Sequence, residues 1–252
     1  MIKLRRFKNR DEVTQAAAAA ICELVRAKPD AAIGLATGRT QEPVFAELLR
    51  RFRAGEVSFK RARFFHLDEY WGMPASSPDS MSGSLHRMLV GAIDAPQDQF
   101  HRIDGTAKDP IVEAARYEEV IRKAGGIDLQ ILGMGTNAHI AFNEPGSAHD
   151  SRTHLITLTE ETQQQNRDFF PAGAQVPSQA LTMGIATILE AKSILILVTG
   201  RSKIDAMRDT LEGPIGPNCP ASALHHHRAC TMLCDEDATE GLSQMESSRH
   251  ER

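Results

Sequence analysis

The chain has 252 residues, enough to bury an ample core without disulfide or metal staples, and its length suits one α/β domain. Its net charge is −4, with 29 Lys and Arg interspersed among 33 Asp and Glu, which excludes the basic footprint of a nucleic-acid or anionic-membrane binder. No apolar run approaches the ~20 residues of a membrane span, and no signal-peptide core follows Met1, so a cytoplasmic protein without a membrane partner is expected.

In chain order, the alanine-rich stretch 11–27 reads as a helix, stopped by Pro29-Asp30. Ala31–Ala36 follows as a short apolar strand and ends in Thr37-Gly38-Arg39-Thr40. Helical periodicity resumes at Glu42–Phe52, with Val44, Phe45, Leu48 and Leu49 on one face. Strand, glycine loop and helix in that order form an anion cradle, because loop N–H groups and a helix N-terminus both favour a phosphate. The loop lacks the Walker and dinucleotide fingerprints, so neither ATP nor NAD is implied.

The next strand, Ala62–Leu67, runs into Asp68-Glu69-Tyr70. Alternation sends the two carboxylates to opposite sides, so one of them faces a crevice. Residues 73–82 are a Pro- and Ser-rich loop, Leu85–Ile93 a helix, Phe100–Ile103 a short strand, and Pro110–Ala124 a helix opened by proline. Leu129–Leu132 is a buried strand that breaks at Gly133 and Gly135 and then presents Asn137, His139 and Glu144. Polar groups at the carboxyl end of a strand are where an open α/β sheet places its chemistry.

Residues 148–178 are polar, with a candidate lid at 158–178. Ala180–Leu189 reads as a helix and Ser193–Val198 as a buried strand, followed by Thr199-Gly200-Arg201-Ser202-Lys203, with Lys203 opening a helix to Glu212. A lysine just past a strand end can neutralise a phosphate. The last strand lies near Cys230–Leu233. Cys22, Cys219, Cys230 and Cys234 form no CxxC pair, and even with His225, His226 and His227 nearby no metal site is expected. Alternating strands and helices call for an open, doubly wound, mostly parallel sheet with helices on both faces, a Rossmann-like three-layer sandwich. One domain over 1–240 and a disordered tail over 241–252 complete the reading.

These residues carry a family resemblance over about Ile33 to Asp237. Leu35-Ala-Thr-Gly-Arg-Thr40, Leu67-Asp-Glu-Tyr70, Gly133-Met-Gly-Thr-Asn-Ala-His-Ile-Ala-Phe-Asn-Glu-Pro-Gly146, Ser151-Arg-Thr153, Ala180-Leu-Thr-Met-Gly184, Val198-Thr-Gly200 with Lys203, Pro220-Ala-Ser222 and Cys234-Asp235 occur in the family's order. The sequence resembles the glucosamine-6-phosphate deaminases. The resemblance implies conversion of an amino-sugar phosphate to a keto-sugar phosphate with release of ammonia, using no metal or organic cofactor. It implies that Asp68 is the base moving a proton from C2 to C1. His139, oriented by Glu144 with Asn137 beside it, would serve ring opening. Gly38, Arg39, Thr40 and Lys203 would bind the phosphate, with Arg167 on the lid as a further candidate.

The chain departs from the family pattern at several positions. Asn137 stands where the best-known members carry Asp, Ala138 where glycine is common, and Gln41 where proline is usual. His154 replaces an arginine of an allosteric site, so no activation of that type is expected. Arg167 lies one position from the expected lid arginine. Three rivals remain at this point: a galactosamine-6-phosphate deaminase, a phosphogluconolactone hydrolase, and a non-catalytic sugar-phosphate sensor. Asp68-Glu69-Tyr70 and Asn143-Glu144-Pro145 argue against the hydrolase. The alanine-rich, weakly basic N-terminal segment argues against a DNA-linked sensor. Monomer or homo-oligomer is left undecided.

Overall fold

A computed structural model of the chain describes residues 1–242. Its strands are β1 (Lys3–Phe7), β2 (Ala32–Leu35), β3 (Arg63–His66), β4 (Asp68–Tyr70), β5 (Phe100–His101), β6 (Leu129–Gly133), β7 (His154–Thr157), β8 (Gln179–Thr182), β9 (Ile194–Val198) and β10 (Cys230–Asp235). Its α-helices are α1 (Arg10–Ala27), α2 (Glu42–Arg53), α3 (Met81–Met88), α4 (Pro110–Lys123), α5 (Glu160–Asn166), α6 (Ile185–Leu189) and α7 (Ile204–Glu212).

Seven strands form one sheet in the order β1-β10-β9-β6-β2-β3-β5, and every pairing in it is parallel. The α/β reading therefore holds. Two apolar layers cover its faces, as parallel strands require. On one side α1, α2 and α3 bury Ala17, Ile21, Phe45, Leu48 and Leu85 against Ile33, Leu35 and Phe64. On the other side α4, α6 and α7 bury Tyr117, Ile188 and Met207 against Phe65, Leu132 and Ile196.

From β2 the chain winds outward through β3 and β5, then returns to β6 on the opposite flank and winds the other way through β9 and β10. The order reverses between β2 and β6, whose following loops diverge and open a crevice at the carboxyl ends of the strands. The phosphate-type loop 37–41 and the polar loop 133–144 flank that crevice.

Several expectations need correction. Residues 180–189 are not one helix: β8 occupies Gln179–Thr182, and only Ile185–Leu189 is helical. β8 pairs antiparallel with β4 and β7 to make a second, three-stranded sheet over the crevice. The first strand, β1, went unread, because its Lys-Leu-Arg-Arg-Phe composition is that of a charged edge strand. Helix α7 begins one residue after Lys203, which sits at its N-cap. Leu242 is buried in the core although it falls in the expected tail, and the remainder of that tail, 243–252, lies outside the described residues.

Candidate active site

A cavity of about 600 Å³ occupies the crevice and is lined by Gly38, Arg39, Thr40, Asp68, His139 and Lys203 among others. That volume suits a small polar metabolite. Loops from β2, β3, β6 and β9 thus deliver to one space residues as far apart in sequence as Thr37 and Lys203.

The loop after β2 turns at Gly38, whose φ of +129° is closed to most L side chains. Its carbonyl accepts from Gln41 N at 2.9 Å and Glu42 N at 3.2 Å, which starts α2. No side chain caps α2, so its first amides have no side-chain partner at the rim of the cavity. Arg39 is exposed, pairs with Asp168, and lies with its guanidinium 5.6 Å from the Phe169 ring centroid. Gln41, unassigned from sequence, is buried against Gly133 and lines the same cavity. The substitution for the usual proline was visible, but its burial was not.

Asp68 opens β4 with 5% exposure. Burial first, and the Glu69 charge second, push its carboxyl up to about 7. Glu69 points the other way and ties down the start of α3, accepting from Met81 N, Ser82 N and Ser82 Oγ at 3.0, 3.0 and 2.6 Å. Alternation thus separates the two carboxylates as expected, one facing the cavity and one holding a helix end.

After β6 the chain folds back tightly. Gly135 N donates to His139 O at 2.9 Å, and Ala138 takes φ +63° at the turn. The glycine-to-alanine departure therefore falls at a left-handed position, where a Cβ is costly. Asn137 Oδ1 is 2.7 Å from His139 Nδ1, and Asn137 Nδ2 donates to Glu144 Oε2 at 3.1 Å. An amide oxygen only accepts, so Nδ1 carries the proton and a neutral His139 presents Nε2 as a proton acceptor. Glu144 is 3.8 Å from His139 and is itself held by Thr159 N and Oγ1 at 3.3 and 3.2 Å. Asn137 is thus the bridge between His139 and Glu144. Burial holds the His139 pKa below its ordinary value, against the opposing pull of Glu144.

Lys203 reaches the cavity from the turn after β9 and is half-buried; burial lowers its pKa. Arg167 does not join these groups. It is exposed, donates to Ala174 O at 3.1 Å, and lines a separate surface groove with Trp71 and Gln179. Its neighbours Asn166, Asp168 and Phe169, with Gln164 and Gln165, are the residues of that segment that line the cavity. Among the described residues no three His, Cys, Asp or Glu side chains gather as metal ligands. His225 and His227 are engaged instead with the Thr210 and Ala191 carbonyls at 2.8 and 2.7 Å.

The chain is similar to known proteins over most of its length. Residues 8–233 match the family model described as glucosamine-6-phosphate isomerases/6-phosphogluconolactonase. A glucosamine-6-phosphate deaminase of Bacillus velezensis is 45% identical over 231 residues, covering 92% of this chain and 96% of that protein. Glucosamine-6-phosphate deaminase 1 of Bacillus subtilis is 41% identical, covering 94% and 98%. The solved structure of a monomeric glucosamine-6-phosphate deaminase superposes with a TM-score of 0.92 at 41% identity, over 94% of this chain and 98% of that one. A 6-phosphogluconolactonase of Thermotoga maritima superposes at 0.73 with 22% identity over 93% and 99%, a likeness of fold alone. Matched nearly end to end by the family model and by relatives above 40% identity, the chain belongs to the glucosamine-6-phosphate isomerase/6-phosphogluconolactonase family.

Proposed function

We propose that this chain is a glucosamine-6-phosphate deaminase, converting glucosamine 6-phosphate and water to fructose 6-phosphate and ammonia. The observation that carries the reading is the buried Asp68 facing the same cavity as His139, beneath a loop and a lysine suited to a phosphate. Relatives named for this reaction match over nine-tenths of the chain.

In this reading Gly38, Arg39, Thr40 and Lys203 hold the phosphate. His139 Nε2 takes a proton during ring opening, with Asn137 fixing the tautomer and Glu144 fixing Asn137. Asp68, once ionised, removes the C2 proton from the open chain and returns it to C1; water then replaces the amino group as ammonia leaves. Exclusion of water by the 158–178 segment strengthens each of these interactions. The chemistry calls for no metal or cofactor. One domain over 1–240, a cytoplasmic setting and a small-molecule sugar phosphate as partner belong to the same reading. Among the described residues no helix is long and apolar enough to cross a membrane. The hydrolase alternative is left with distant fold neighbours only, at 22% identity for the Thermotoga lactonase.

The test is ammonia release, coupled to detection of the ketose phosphate, on glucosamine 6-phosphate and galactosamine 6-phosphate in parallel. Turnover of the first is expected. Turnover of the galactosamine epimer alone would move the assignment to that sugar, and silence on both would overturn the reaction class.

A further inference from the structure

His66 and Asp68 are two residues apart, and strand alternation turns both side chains to one face. His66 closes β3 opposite Leu35 and is 0% exposed, and neither ring nitrogen has a hydrogen-bond partner. Asp68 Oδ1 is likewise buried and unpartnered. His66 Nε2 stands 3.8 Å from that oxygen. A neutral imidazole offers one N–H donor and a carboxylate accepts, so an approach of roughly 1 Å converts two orphaned buried groups into a hydrogen bond. Leaving both unpaired costs each its lost hydration without return.

We infer that His66 is a positioning residue for the reaction, donating Nε2–H to Asp68 Oδ1 so that Oδ2 is presented to the substrate. The inference rests on Asp68 being the base. The C2 proton travels to Oδ2, while the His66 proton stays on Nε2, so nothing is transferred between the two side chains. The backbone between the two residues is pinned. Tyr117 Oη donates to the His66 carbonyl, and Met183 N donates to the Leu67 carbonyl at 2.8 Å.

Burial holds the His66 pKa down to about 3, which keeps the ring neutral wherever Asp68 titrates. The other groups acting on Asp68 give it no counter-charge. Glu69 on its own strand opposes ionisation, and the Tyr70 and Tyr117 hydroxyls, from β4 and α4, are themselves neutral neighbours of its charge. Among the described residues no Lys or Arg forms an ion pair with Asp68. His139, Arg39 and Lys203 face it across the cavity. A donor behind Oδ1 is therefore what keeps a carboxylate in this apolar setting usable as a base at neutral pH.

The test is a titration of the Asp68 carboxyl by difference infrared spectroscopy on ligand-free protein, each variant being subtracted from its own Asp68→Asn partner. In His66→Leu the midpoint should rise by about one to two pH units, the worth of one charge-assisted hydrogen bond. His66→Gln, which keeps an N–H donor at the same reach, should return it most of the way. The acid limb of kcat/KM should move in the same direction and by the same amount, with KM little changed. An unshifted or lowered midpoint in His66→Leu, or Leu and Gln variants that behave alike, would overturn the inference. If His66→Leu fails to fold, ¹⁵N-histidine spectra of the unaltered protein decide: a protonated Nε2 supports the pair, and a protonated Nδ1 with bare Nε2 rejects it. Because the titration needs no turnover, a silent enzyme with a shifted midpoint rejects the deaminase reading alone. An active enzyme with an unshifted midpoint rejects this inference alone.

Discussion

Asp68 can accept a proton only while ionised, and its surroundings oppose ionisation. With the carboxyl pushed up to about 7 by burial and by Glu69, kcat/KM should fall about tenfold per pH unit below that point. A flat profile between pH 5 and 8 would remove Asp68 from the base role. Asp68→Asn should lower turnover by roughly 10²–10⁴-fold while calorimetry still shows sugar-phosphate binding. The same shift has a sign for stability. The folded pKa lies above the unfolded value of about 3.9, so the folded state holds the extra proton, and stability is lost as pH rises from about 4 through 7. Asp68→Asn removes that loss and should therefore melt higher than the unaltered protein at pH 8, with no advantage below about pH 4. Gly135 is a steric counterpart to this electrostatic case. A Cβ there would lie 2.3 Å from His139 Cε1 and Nδ1, so Gly135→Ala must swing the ring off Asn137. A loss of activity of about 10²-fold, with a melting temperature changed far less, is the expected outcome.

At the scale of elements, the 158–178 segment has an apolar anchor and an exposed latch, beside the hydrogen bonds of Thr159 to Glu144 and of Glu161 and Gln165 to Thr136. Phe170 is buried with Tyr70, Phe142 and Leu158, its ring edge-on to Tyr70 at 5.3 Å between centroids. The Arg39–Asp168 pair is exposed on both sides and adds little stability, and an incoming phosphate would compete with Asp168 for the same guanidinium. Phe170→Ala should therefore free the segment without unfolding the domain: limited proteolysis within 160–175 should quicken at least several-fold while the calorimetric transition barely moves. Equal loss of global stability would mean that the segment is part of the main core. Legibility from sequence divides along the same lines. The strand-loop-helix unit around Gly38 and the strand and loop around Gly133 were readable, because apolar runs, glycines and helical periodicity are local signals. The antiparallel sheet was not, because β8 is only four residues long and its pairing with β4 joins residues more than a hundred positions apart, such as Asp68 and Thr182. Arg167 was misread for a related reason. One step along a 3₁₀ turn swings a side chain to another face, so Asp168 lines the cavity while Arg167 leaves it. Asn137, which stands where the best-known members carry Asp, joins His139 to Glu144, a bridge that sequence spacing does not show.

The whole molecule separates its chemistry from its stability along the strand direction. At the amino ends of the strands, opposite the cavity, Asp128 accepts from Lys28 Nζ and Lys192 Nζ at 2.7 Å each and from Ala32 N at 2.8 Å. It thereby ties the starts of β2, β6 and β9 together. Burial alone would raise its pKa, but the hydrogen bonds from Lys192, Lys28 and Ala32 outweigh burial and hold the carboxyl at about 2. The folded pKa lies below the unfolded one, so the cluster stabilises the fold above about pH 4 and loses that contribution as pH falls through about 2. Both lysines are partly exposed, which weakens the pairs, so Asp128→Asn should cost about 1–2 kcal/mol at pH 7 in urea unfolding. The two proteins should converge as pH approaches 2. Turnover per folded molecule should be unchanged, since the carboxyl lies at the far end of strands whose other ends carry the site. A fall in turnover beyond the fall in folded protein would mean that strand register at the amino end is transmitted to the Gly38 and Gly133 loops. The sheet would then be part of the catalytic geometry rather than only its support.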